Sequence, residues 1–272
     1  MSKNTNIKRL TVPAIVKMKS QSKRIAMLTA YDALMASILD ASGIDIILVG
    51  DSAGMVMGGQ ENTLAVTMEE MLFYTRSVRR GVNRALLVAD MPFLSYQTSI
   101  SDAVKNAGRF LKEANAEAVK LEGGKAIADT VQRLVELGIP VMGHVGLTPQ
   151  LLHQFGGYEL QGRDEARATQ LREDALAIEQ AGAFSIVLEK IPSLLAKQIT
   201  ESLRIPTIGI GAGLHCDGQV LVSHDMLGLY DKFKPKFVRR YAEMGKEMME
   251  AFIRYIDDVK EGKFPGDDES YS

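Results

Sequence analysis

Six ionisable side chains share one sequence setting. Asp51 follows the apolar run DIILVG, Asp90 closes ALLVAD, Lys120 and Glu122 lie in AVKLE, His144 in PVMGHV, and Glu189 closes SIVLE. Brought to one point, these types do acid–base and metal chemistry. The carboxylates Asp51, Asp90 and Glu122 would repel one another unless a cation neutralised them. Oxygen ligands without cysteine and with little histidine suit Mg²⁺, which leaves positions open for substrate oxygens and acts as a Lewis acid. Taken singly, each acid reads equally well as a helix cap or turn former, so the metal reading depends on convergence. Lys120 stands two residues before Glu122, so on a strand both side chains point the same way. It is an anchor for a substrate carboxylate, a Schiff-base amine or a structural partner of the acids. Glu189 is a candidate general base or an ion-pair partner of Lys190. His144 is a substrate hydrogen-bonding group or a satisfied core histidine. The run Gly209, Gly211 and Gly213 is either a backbone-amide site for a phosphate or carboxylate, or a device for close packing.

Convergence requires a particular scaffold. Short apolar runs at 24–30, 45–50, 85–90, 118–122, 140–145, 185–189 and 206–210 alternate with segments of helical spacing. In the segment 125–138, Ile127, Val131, Leu134 and Val135 make one helical face, and Gly138 then supplies a stop. Ser99-Ile100-Ser101-Asp102 opens another helix with capping residues. Strand–helix alternation means a parallel sheet. With a weaker eighth strand at 219–223, the pattern favours an α/β (β/α)₈ TIM barrel over an open doubly wound sheet, and no dinucleotide fingerprint follows the first run. In such barrels chemistry collects at the C-terminal strand ends, where the six residues fall. The chain is expected to form a single domain over 1–272, with an N-terminal arm and helix at 1–20 closing the barrel bottom. A C-terminal helix is expected at 236–261, then a mobile tail at 262–272. Segments 58–67 and 147–163 are candidate lids or interfaces.

Composition excludes whole classes. Of 272 residues, 46% are hydrophobic and 24% charged, which is the profile of a globular protein rather than a disordered or fibrous one. The formal net charge of −2 gives no basic field for nucleic acid or an anionic membrane. The single cysteine, Cys216, makes neither an internal disulfide nor a zinc pattern, so a reducing cytoplasmic setting is expected. The N-terminus lacks an apolar core of signal-peptide length.

The motifs TAYD (29–32), LVGDSAGMV (48–56), ADMPF (89–93), VKLEGG (119–124), GHVGLTPQ (143–150), FGGY (155–158), QGR (161–163), VLE (187–189), IPTIGIGAG (205–213) and DGQVLV (217–222) run in one order through the chain. Together they resemble the ketopantoate hydroxymethyltransferase family over nearly the whole length. The resemblance implies a barrel that binds Mg²⁺ through Asp51, Asp90 and Glu122. It implies substrate binding by Asp51, Ser52, Asp90 and Lys120, with Glu189 as base. The implied reaction takes 3-methyl-2-oxobutanoate and 5,10-methylenetetrahydrofolate to 2-dehydropantoate through a Mg-stabilised enolate, in pantothenate and coenzyme A synthesis. In that chemistry the metal is the electron sink, and Lys120 is not needed as a Schiff base. The family is cytoplasmic and a homo-oligomer, typically a decamer. Two rivals remain: a Mg²⁺ barrel of the phosphoenolpyruvate mutase or isocitrate lyase type, and a non-catalytic barrel, which would have lost its charged strand ends.

Overall fold

The computed structural model describes residues 8–229 and 235–271. The chain divides into two compact units, Met1–Leu221 and Val222–Ser272.

In the first unit eight parallel strands close into a barrel in chain order. They are β1 (Ile25–Thr29), β2 (Ile46–Val49), β3 (Leu86–Asp90), β4 (Ala118–Glu122), β5 (Val141–Gly146), β6 (Ser185–Glu189), β7 (Thr207–Ile210) and β8 (Gly218–Leu221). Strands β2, β3, β4 and β5 are buried at every position, because one face lines the barrel and the other packs under helices. The connecting and flanking helices are α1 (Val12–Ser20), α2 (Ala33–Ala41), α3 (Ala53–Val56), α4 (Met68–Arg79), α5 (Ile100–Ala114), α6 (Ala128–Glu136), α7 (Leu152–Phe155), α8 (Glu165–Gln180) and α9 (Ser193–Ser202). Local chemistry sets several starts. Asp32 caps α2, Thr67 and Glu70 form a capping box on α4, and the Ser99 hydroxyl accepts from Asp102 N at 3.1 Å at the start of α5. The expected β8 shortens to Gly218–Leu221.

The inward faces change character along the strands. Toward their N-terminal ends Ile25, Met27, Ile46, Leu86, Val88, Ala118 and Met142 belong to one interior cluster. Ile15 of α1 is fully buried in that cluster. The next inward positions are Asp90 on β3, Lys120 and Glu122 on β4, and His144 on β5. Strand pairing sets Asp90 beside Lys120, Glu122 beside His144, and Glu189 beside Gly146. Gly146 has φ +103°, and a Cβ there would stand 2.2 Å from the Glu189 carbonyl oxygen, so the strand end that carries Glu189 needs a glycine partner.

The second unit holds α10 (Ser223–Met226) and α11 (Met244–Lys260). The long helix was expected from 236 but begins at Met244. The intervening chain spends its amides elsewhere: Tyr241 N donates to Met226 O at 2.8 Å and Met244 N to Leu227 O at 2.9 Å. Phe237 and Tyr241, counted on the expected helical face, therefore lie outside it. None of the 17 residues of α11 is buried. Segment 262–271 carries a 3₁₀ turn at Asp267–Glu269. Residues 1–7 of the expected arm and residue 272 of the tail lie outside the described residues. Among the described residues no helix is long and apolar enough to cross a membrane.

Candidate active site

Lys120 is the centre of charge at the barrel mouth. Its Nζ lies 2.7 and 2.8 Å from the two carboxylate oxygens of Asp90 and 3.8 Å from Glu122 Oε1. Burial disfavours an ammonium, but Asp90, Glu122 and Asp51 outweigh it and hold Lys120 above the ordinary lysine range. It is therefore a fixed cation, whereas a Schiff base requires a neutral amine. Asp51 follows β2, and its backbone N lies 3.4 Å from Asp90 Oδ2. Burial, then the charges of Asp90 and Glu122, push the Asp51 carboxyl well above the usual range. Burial also raises Asp90, against the pull of Lys120. Both shifts report chiefly that burial penalises the ionised carboxylates more than Lys120 compensates.

Glu122 is differently placed. Its burial is more than offset by His144, Lys120 and the Gln150 amide, which lower its pKa. Glu122 Oε2 accepts from Gln150 N at 3.0 Å, and Oε1 lies 3.4 Å from His144 Nδ1. His144 Nε2 in turn lies 3.3 Å from Glu189 Oε2. Both separations are long, and the attraction is chiefly ionic. Burial and Lys120 push the imidazole down, but Glu122 and Glu189 prevail and hold it at about 9. His144 thus links the carboxylate cluster to Glu189, the least buried member of the group, at 16% side-chain exposure. Lys190 does not pair with Glu189; its Nζ donates to the Tyr158 carbonyl. Ser52 follows Asp51, and its hydroxyl lies 2.7 Å from that of Tyr31.

The sequence reading asked for three carboxylates converging on a metal. Among the described residues no three His, Cys, Asp or Glu side chains are gathered as a metal cage. Asp51 and Asp90 adjoin with raised pKa values, and all three acids also face protein partners: Gln150 for Asp51, Lys120 for Asp90, and Gln150 with His144 for Glu122. That arrangement still fits Mg²⁺, which usually keeps several waters and takes one or two carboxylates plus substrate oxygens. Asp51, Asp90 and Glu122 are the carboxylates that could hold it, each with acceptor capacity beyond its protein partners. Two glycines of the run sit where a side chain would collide: a Cβ on Gly209 would meet Cys216 Sγ at 2.9 Å, and one on Gly213 would meet Ser193 Oγ at 2.1 Å.

Two further residues belong to the site. Gln150 and Tyr96 are both buried at 2% exposure. Gln150 Nε2 donates to Asp51 Oδ2 at 3.0 Å and to Met91 O at 2.9 Å. Its Oε1 accepts from Tyr96 Oη at 2.8 Å and Gln97 Nε2 at 2.9 Å. Gln150 ends the motif GHVGLTPQ, but an amide in a loop carries no chemical signature of its own.

Comparison with known proteins places these residues in a family. The sequence model of the ketopantoate hydroxymethyltransferase family matches residues 9–267. The chain is 55% identical over 271 residues to a 3-methyl-2-oxobutanoate hydroxymethyltransferase of Syntrophus aciditrophicus (strain SB), covering 100% of both. It is 57% identical over 257 residues to one of Clostridium botulinum (strain Langeland / NCTC 10281 / Type F), covering 94% of each. Among solved structures it resembles a phosphonopyruvate hydrolase in complex with oxalate and Mg²⁺, with TM-score 0.61, 11% identity, and 97% and 92% of the two chains covered. It also resembles a 2,3-dimethylmalate lyase of the PEP mutase/isocitrate lyase superfamily, with TM-score 0.60, 16% identity and 97% and 89% coverage. At such identities the structural likeness speaks to the barrel alone. The family match and the full-length relatives go further, and this chain belongs to the ketopantoate hydroxymethyltransferase family.

Proposed function

We propose that the protein transfers a hydroxymethyl group from 5,10-methylenetetrahydrofolate to 3-methyl-2-oxobutanoate, giving 2-dehydropantoate for pantothenate and coenzyme A synthesis. It does so as a Mg²⁺-dependent cytoplasmic homo-oligomer. One observation carries the reading: a buried ammonium and paired acids are joined through His144 to a more exposed carboxylate, Glu189. The names of the full-length relatives agree with it.

Asp51, Asp90 and Glu122 would hold the cation. When bound, Mg²⁺ supplies positive charge opposite the keto oxygen and so acidifies the C3 hydrogen. Lys120 offsets the charge of the substrate carboxylate, and Ser52, whose hydroxyl meets that of Tyr31, adds a hydrogen bond to the keto acid. Glu189 takes the C3 proton. His144 holds Glu189 Oε2 and leaves the other carboxylate oxygen for that transfer. The C3 carbanion forms the new C–C bond to the one-carbon unit, water supplies the hydroxyl oxygen, and both C–N bonds of the methylene bridge break so that tetrahydrofolate leaves carrying the protons. The exposed apolar residues of α11, Phe252 and Ile253 among them, support assembly with further copies.

The test is proton NMR of 3-methyl-2-oxobutanoate in D₂O with the protein, without folate, with Mg²⁺ or with EDTA. Loss of the C3 proton signal only with Mg²⁺ is expected. No exchange in either condition, together with turnover of mutase or lyase substrates, would overturn the reading in favour of the chemistry of the structural neighbours.

A further inference from the structure

We infer that Gln150 is the positioning residue of the cation site, and that Tyr96 and Gln97 jointly lock its side-chain amide in the orientation that presents Asp51. The inference rests on the reading that Asp51 and Asp90 hold a divalent cation. A primary amide has two acceptor sites and two N–H donors, and flipping it by 180° exchanges them. Here each is used. Both donors are spent, one on Asp51 Oδ2 and one on the Met91 carbonyl. Oε1 faces two donors, the Gln97 amide and the Tyr96 hydroxyl, whose one hydrogen has Gln150 Oε1 as its nearer acceptor, at 2.8 Å against 3.0 Å for the Glu122 carbonyl. A flipped Gln150 would turn Oε1 toward the Asp51 carboxylate and the Met91 carbonyl, and would aim Nε2 at the Gln97 amide nitrogen. The two contacts with Asp51 and the Met91 carbonyl would become repulsive, and the other two would depend on the Tyr96 rotor and on a matching flip of the exposed Gln97 amide.

Gln150 is the one side chain found donating a hydrogen bond to the Asp51 carboxylate among the described residues. Its backbone N simultaneously holds Glu122 Oε2. One residue on the loop after β5 therefore orients acids that follow β2 and end β4. The lock is itself supported. Tyr96 and Gln97 sit in the loop after β3, whose Ser95 carbonyl accepts from Asn106 Nδ2 of α5 at 2.7 Å and whose Ser95 Oγ donates to Pro92 O at 2.6 Å. Outer partners of metal ligands commonly change metal affinity by about 10–100-fold. A duplicated lock predicts a particular pattern of variants: either donor alone suffices to orient Oε1, and losing both releases the amide.

The experiment measures Mn²⁺ affinity by electron paramagnetic resonance on the full chain without substrate, with thermal stability in parallel. In the wild-type protein saturable binding is expected, and Asp51→Asn is expected to abolish or severely weaken it. Gln150→Ala is expected to weaken Mn²⁺ about 10–100-fold. Tyr96→Phe and Gln97→Ala singly are expected to stay within about threefold, and the double variant to approach Gln150→Ala. In the Asp51→Asn background, Gln150→Ala is expected to add little, because its donor then has no carboxylate to orient. Wild-type affinity in Gln150→Ala, or additive effects of Tyr96→Phe and Gln97→Ala, would overturn the inference while leaving the cation site standing. Absence of saturable Mn²⁺ binding to the wild-type protein would overturn the cation reading and this inference with it. Should Gln150→Ala fail to fold, the Tyr96→Phe/Gln97→Ala double variant, which keeps Gln150, decides by the same criterion.

Discussion

The lower part of the barrel interior and its mouth are lined by the same strands with the same inward alternation, yet they are built for opposite ends. Below, Ile25, Met27, Leu86, Val88 and Met142 close on Ile15 as one apolar cluster. Above, the next inward positions are Asp90, Lys120, Glu122 and His144, all buried. Transfer of apolar surface from water stabilises the first layer. The second layer takes charges out of water, and their mutual attraction at best offsets that cost. A mouth assembled this way stabilises poorly, because the burial of its carboxylates is only partly offset by Lys120. The lower layer supplies the stability that the upper layer does not.

Substitutions in the two layers should therefore separate activity from stability. The largest effect is expected from Glu189→Gln, which should slow C3 proton exchange by about 10²–10⁴-fold while leaving the melting temperature and keto acid binding nearly unchanged. Exchange at the wild-type rate would remove Glu189 as the base. Ile15→Ala should do the reverse: a loss of about 2–5 kcal/mol in urea unfolding, with exchange per folded molecule unaltered. A comparable loss of exchange in that variant would show that the two layers are not independent. Lys120→Ala should weaken keto acid binding about 10–100-fold, the scale of one charge-assisted hydrogen bond, as measured by calorimetry. An unchanged dissociation constant would make Lys120 a structural counter-ion only.

The smallest effect calibrates burial away from the mouth. Burial raises Asp225, in the second unit, to about 6, against the lowering influence of Arg240. Between its ordinary value of 3.8 and about 6 the native state then binds more protons than the unfolded one. The stability this group lends is present below that window and is lost as pH rises through about 6. Asp225→Asn should flatten the wild-type decline in unfolding midpoint from pH 4 to 6.5. Parallel pH profiles would count against the shift.

The barrel and its charged mouth were legible from the residues, because strands buried on both faces leave nearly continuous apolar runs and a single ionisable end is conspicuous against them. Lys120 and Glu122 share a face by strand periodicity alone. The start of α11 was not legible: helical spacing from 236 is matched by backbone bonds to 226 and 227, which periodicity does not register. Residue types determined which groups can ionise and, through the ordered motifs, the family. Only the tertiary structure decided which acids share a lysine, that Glu122 is held by Gln150 and His144 rather than left open, and that a loop amide orients Asp51. Spacing along a chain encodes faces and periods. The partners of a buried charge come from different strands and loops, and their distances exist only once the barrel has closed.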